Sequence, residues 1–131
     1  SYAKILSIKT LSFKTNDQIY TALKSIFTAN QVSSVDLVLS AHNGDPNDDR
    51  ISQHLLSALD LESKYFAFKS VCGEYNTASA FALYLASNIL NKTSIPGFQY
   101  SKITDNKSIK SILIHNHYRN THHSFILLSA C

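Results

Sequence analysis

Apolar positions along the chain follow two periods, and the switches between them mark the elements. Residues 2–13 are rich in Ile, Leu, Phe and Thr, which predicts a strand with a mostly buried middle. Thr15, with Gln18 three residues on, has the spacing of a helix capping box. Ile19, Ala22, Leu23, Ile26 and Phe27 then recur at helical intervals as one apolar stripe. Val35–Leu39 is a short apolar run suited to the inside of a parallel sheet. Gly, Pro, Asn and Asp crowd together over Ala41–Asp49, which predicts a loop. Ile51, Leu55, Ala58 and Leu59 form a second amphipathic helix, and Tyr65–Phe68 a third strand. A turn over Cys72–Asn76 opens a third helix, Thr77–Leu90. A long irregular connection, Asn91–Lys107, leads to strands at Ile109–Ile114 and Ser124–Leu128, joined by a polar, His-rich link.

The order β-α-β-α-β-α-β-β predicts a single α/β domain over residues 1–131 with a five-stranded mixed sheet. The first four strands run in parallel through helical crossovers. The last connection is too short for a crossover, so the fifth strand is antiparallel. The helix at Thr77–Leu90 has almost no polar face, only Ser79, Tyr84, Ser87 and Asn88 interrupting it. A helix apolar nearly all round must be covered on nearly all sides, and one sheet covers only one. The sequence therefore implies a partner surface.

Composition adds mainly exclusions. The formal charge is +3, with twelve Lys and Arg scattered singly, so the clustered basic face of a nucleic-acid binder is missing. Two cysteines, Cys72 and Cys131, make no disulfide framework. Residues 1–13 carry Lys4 and Lys9 inside the apolar stretch, unlike a signal peptide, and the apolar run around Ala78–Leu90 is too short to span a bilayer. A reducing cytoplasm is the expected compartment.

Several clusters carry candidate chemistry. His115, His117, His122 and His123 raise a metal site and, with it, a small hydrolase; a polar turn between strands is the simpler reading, because no Cys or carboxylate completes a known ligand spacing. We expect no metal and no cofactor. Asp45, Asp48 and Asp49 suit either a cation or the N-terminus of the following helix, and the second is favoured. Cys72 beside Glu74 suggests a thiol nucleophile, against which stands a small residue in a tight turn. Lys69 is expected to pair with Glu74.

Three segments resemble the C-terminal half of condensing enzymes of the thiolase superfamily. VDLVLSAHNGDPNDD stands where β-ketoacyl synthases have a strand ending in H-G-T-G-T-P-x-N/G-D. FKSVCGEYNTASAFALYLA stands for K-S-x-x-G-H with its small-residue helix, and NHYRNTHHSFILL for F-G-F-G-G-x-N-A with the last strand. Gly44, Pro46 and Asp49 fall on the family's second Gly, Pro and Asp, and Lys69, Ser70 and Gly73 match K-S-x-x-G. The resemblance covers nearly the whole chain and implies the half-fold of that family.

The departures shape the functional expectation. The two family His residues of this half stabilise an oxyanion and an enolate, which requires N–H donors aimed at developing negative charge. The first becomes Ala41, with His42 one residue late; the second becomes Glu74, a carboxylate that repels an oxyanion. The Gly-rich segment becomes Asn116–Asn120, and the nucleophile's half is not in this chain. The pattern NGDP…D with K-x-x-x-GEY-x-TAS-x-FAL is similar to degenerate subunits of the chain-length-factor kind, including those of aryl-polyene and flexirubin-type pathways. The resemblance implies a non-catalytic subunit or half-domain in polyketide, aryl-polyene or fatty-acid-type synthesis. Its expected partners are a ketosynthase subunit or N-terminal half-domain and an acyl-carrier protein, in a homo- or hetero-oligomer. The alternative is a divergent 3-oxoacyl-[acyl-carrier-protein] synthase using His42, Lys69 and Glu74, with its nucleophile on a separate half.

Overall fold

The computed structural model describes residues 3–61, 65–73, 77–92 and 108–131. Among them run strand β1 (Lys4–Ser12), helix α1 (Asn16–Ala29), β2 (Leu37–Ser40), α2 (Pro46–Ala58), β3 (Tyr65–Ala67), the single turn α3 (Lys69–Cys72), α4 (Ala78–Asn91), β4 (Ser111–Tyr118) and β5 (His122–Ser129). The sheet order is β1-β5-β4-β2-β3. β2 pairs in parallel with β3 and β4, while β5 runs antiparallel to both β4 and β1. β1 to β4 therefore share one direction and β5 alone opposes them, as expected for strands joined by crossovers except at the last connection.

Strict alternation builds two cores. On one face Val38, Leu113, Phe125 and Leu127 meet Ile19, Leu23, Ile26 and Phe27 of α1 and Ile51, Leu55 and Leu56 of α2. On the other, Leu37, Leu39, Ile112, Ile114 and Leu128 meet Ala78, Ala82, Leu85, Ala86 and Ile89 of α4. The run of small residues in α4 lets the helix approach the sheet closely, and Asn116 Nδ2 donates to Ser79 Oγ at 2.6 Å across that contact. Thr15 caps α1 as its spacing predicted: Gln18 N donates to Thr15 Oγ1 at 3.2 Å, and Thr15 N to Gln18 Oε1 at 2.9 Å.

Four expectations change. β1 is an edge strand rather than one with a buried middle; Ile5 and Ile8 are 46% and 61% exposed. Its edge carries Lys4 and Lys9 and a bulge between Ile5 and Ser7, both devices that discourage strand-to-strand aggregation. α2 starts at Pro46, inside the expected loop, because Pro suits the first helical position and Asp45 supplies the cap. Residues 69–72 form a helical turn where an open turn was expected to begin at Cys72. The His-rich link is strand: β4 extends to Tyr118 and β5 starts at His122, so only a tight turn separates them. Arg119 and Asn120 take φ of 48° and 55°, the sense that primed hairpin turns demand, and Thr121 N donates to Tyr118 O at 3.0 Å. The irregular connection beyond Lys92 and the tripeptide Glu74–Asn76 lie outside the described residues.

Candidate functional site

Residues matched to the condensing-enzyme motifs converge at the carboxyl ends of β2, β3 and β4. That end of an open α/β sheet is where ligands ordinarily bind. The loop after β2 is held by its own acids. Asp49 Oδ1 accepts from Asn43 N at 2.8 Å, and Asp49 Oδ2 from Gly44 N at 3.0 Å. Asp48 Oδ2 accepts from Asn43 Nδ2 at 3.0 Å, and Asp45 Oδ1 from Asn47 N at 2.9 Å. Three carboxylates are thus committed to two loop residues and a helix start, the structural role that the sequence favoured. Gly44 has φ +92°, which side chains with a Cβ rarely adopt, so this turn requires its glycine.

Ala41 is fully buried and carries no donor beyond its backbone. His42 follows it directly at the carboxyl end of β2. Its Nδ1 lies 2.7 Å from Ser40 Oγ, its ring stacks on Tyr65 with centroids 4.9 Å apart, and its Nε2 is buried with no hydrogen-bond partner. After β3, Ser70 Oγ donates to Ala67 O at 2.7 Å and closes the turn. Lys69 is only 5% exposed, and its Nζ donates to His117 O at 3.1 Å, tying α3 to the far end of β4. Gly73 ends that turn with φ +84° and ψ 179°, a conformation essentially reserved for glycine. Glu74, and with it the pairing expected with Lys69, lies outside the described residues. Cys72 is half-buried, packs on the α4 core and donates to Gly73 O at 3.4 Å, the setting of a small structural residue.

Next to these lies the cluster that the sequence suggested as a polar turn between strands. His115, His117 and His123 are buried, 3–4% exposed, on the α1/α2 side of the hairpin. His115 Nε2 is 3.1 Å from His123 Nδ1; the two rings stack at 5.4 Å, and His115 stacks on Phe125 at 4.7 Å. His117 tilts at 5.8 Å from both. Burial holds the His115 imidazole well below its ordinary range, reinforced by His123, His117, His42 and Lys69. Burial also lowers His123, against a backbone hydrogen bond at Asn120 that raises it. The signal was present: Leu113, His115 and His117 continue the inward alternation of β4 without a break. His122 faces outward against Phe13, with ring centroids 5.0 Å apart. Among the described residues, no group of three or more His, Cys, Asp or Glu is placed to hold a metal ion.

With this geometry the fold is that of the ketosynthases. The solved ketosynthase–chain length factor of PfaC superposes with a TM-score of 0.75 at 18% identity, over 98% of this chain and 13% of that one. The oxazolomycin ketosynthase domain of Streptomyces albus gives 0.74 at 10% identity, over 99% of this chain and 45% of its own. A type II polyketide synthase acyl-carrier protein in complex with its hexaketide-bound ketosynthase, AntDE:AntF, gives 0.66 at 11% identity, over 99% and 34%. The chain therefore spans less than half the length of each of these neighbours. No protein-family model and no curated protein sequence matches it. Among the described residues, no helix is long and apolar enough to cross a membrane.

Proposed function

We propose that this chain is a ketosynthase-like subunit or half-domain that acts by pairing, in the manner of a chain length factor, rather than by catalysing condensation itself. The observation that carries the reading is the exposed apolar strip on the α4 face: among the described residues, its cover is incomplete. Ile5 and Ile8 of β1 and Tyr84 of α4 stand exposed beside a core that continues beneath them through Ile126 and Phe81. A second layer of apolar structure fits there. Its chemistry is that of the complementary ketosynthase half or subunit, with an acyl-carrier protein as the transient partner and the cytoplasm as compartment. Loss of the first family His to a buried Ala41, and the carboxylate of Glu74 at the second, support a non-catalytic role. Aryl-polyene or flexirubin-type synthesis is the pathway class that the sequence pattern favours.

Light scattering of the chain alone and mixed with candidate ketosynthase subunits tests this. A stable heteromeric complex is the expected result; a well-behaved monomer in every mixture would remove the reading.

One observation favours the second reading, a divergent synthase completed by a separate nucleophile-bearing half. His42 is anchored through Nδ1, and its Nε2 has no partner, an arrangement that can present an N–H donor. In the assembled complex, His42→Ala separates the two readings. Loss of malonyl decarboxylation supports a synthase, and activity absent both before and after the change supports the non-catalytic partner.

A further inference from the structure

We infer that the buried histidine stack makes the distal half of the β4–β5 hairpin an acid-released latch over the carboxyl ends of the sheet, closed while the imidazoles are neutral and opened when they are protonated. Two neutral rings satisfy the 3.1 Å contact between His115 Nε2 and His123 Nδ1, one donating and one accepting. Protonating both puts a hydrogen on each nitrogen, destroys the bond and leaves two cations stacked at 5.4 Å. The Asn120 backbone favours a charged His123, but burial outweighs it and His122 adds to the lowering.

The charged and titratable groups that face His115 are all bases: His123 from β5, His117 from its own strand, His42 from the loop after β2, and Lys69 from α3. α1 and α2 contribute Leu23, Ser52 and Leu55, none of them ionisable. Among the described residues no carboxylate acts on His115 to welcome a cation. The hairpin tip is also weakly tied on one flank. On that flank pairing of β4 with β2 ends at Ile114, beyond which Lys69 Nζ bonds His117 O and Asn120 Nδ2 bonds Asn47 O at 3.1 Å. On the other flank β1 stays paired with β5 as far as Ser12 and His122, and Phe13 N donates to Thr121 O at 2.7 Å. Acid thus acts on the part of β4 that β2 no longer flanks.

The folded-state values of His115 and His123 lie below the ordinary 6.5. Their contribution to stability is therefore complete above about pH 6.5 and is lost progressively as pH falls below it, by up to about tenfold in the opening equilibrium per pH unit for each histidine. Amide NMR of the chain from pH 8 to 5 reads this directly. Resonances of residues 115–125 should lose native dispersion at a higher pH than those of α1. Simultaneous loss throughout the chain, or no loss, overturns the latch. His115→Phe, which keeps the stack on Phe125, should flatten the pH response of the hairpin. Should that variant not fold, the imidazole C–H resonance of His115 in the unmodified chain decides: titration at the ordinary value overturns the proposal, and resistance to protonation until the hairpin opens supports it.

Discussion

Among the described residues, the two faces of the sheet are covered to different degrees. On the α1/α2 face two helices reach every strand they need: even the edge strand β1 turns Leu6 and Leu11 into that core. Among the described residues, α4 covers the middle of the sheet on the other face, with Phe68 and Cys72 beside it, and β1 presents Ile5 and Ile8 to solvent. Both faces show the same period-two alternation, so the sequence prepares both for burial. The difference lies in what covers them among the described residues. The neighbours of the same fold are more than twice the length of this chain, and the partner proposed above would meet the exposed residues of the α4 face.

Two adjacent residues of β5 turn this contrast into a measurement. Phe125 is buried on the α1/α2 face and Ile126 half-buried on the other. Phe125→Ala should cost about 3–5 kcal/mol of stability in the isolated chain, because it leaves a cavity in a closed core. Ile126→Ala should cost about 1 kcal/mol, since it removes atoms already partly in water. Urea unfolding of both variants checks the pair, and equal costs would mean that the α4 face is as complete as its opposite.

The next effect concerns association. Ile8→Lys adds a charge to the exposed apolar strip of β1 and should leave the unfolding midpoint within about 0.5 kcal/mol of the parent chain, as surface changes do. If a partner buries that strip, the same change should weaken the complex about a hundredfold, because a charge would be desolvated without a counter-ion. Lys24→Asp on the exposed side of α1 is the matched control, with no loss expected. Isothermal titration against a binding ketosynthase subunit compares the two.

These contrasts also show what the sequence made legible. Alternation in β2, β4 and β5 and the stripe of α1 revealed the layers, because each apolar side chain had a single face to occupy. The strand order remained hidden: Ile5 and Ile8 look like core residues in composition, and only pairing with β5 makes β1 an edge. The histidines were misplaced for a physical reason. Imidazole reads as a polar surface group, yet neutral rings are buried here by stacking and by pairing with each other, and the turn at Arg119 and Asn120 uses positive φ without the glycine that usually announces it. Pro46 after Asp45 was a readable helix start, overshadowed by the acids around it. The functional motif was legible as a fold signature more than as chemistry, since Asp49, Gly44 and Ser70 all serve local backbone geometry.

A smaller effect belongs to that loop. Asp49→Ala removes the acceptor of two backbone N–H groups and should cost about 1–2 kcal/mol, reduced from the full value of two charge-assisted bonds because the loop is wet. Asp49→Asn keeps one acceptor oxygen and should recover part of the loss. An unfolding midpoint unchanged by Asp49→Ala would mean that the clamp is dispensable.

The smallest effect tests whether stability and association are separable at all. Thr15→Ala removes the side-chain acceptor of the α1 cap and should cost about 1 kcal/mol. Because α1 packs on the face opposite α4, this loss should lower the unfolding midpoint without changing affinity for a partner docked on the α4 side. A parallel fall in affinity would mean that partner binding draws on the stability of the whole domain rather than on the exposed strip. The comparison of faces would then describe packing alone and not the place where the chain is completed.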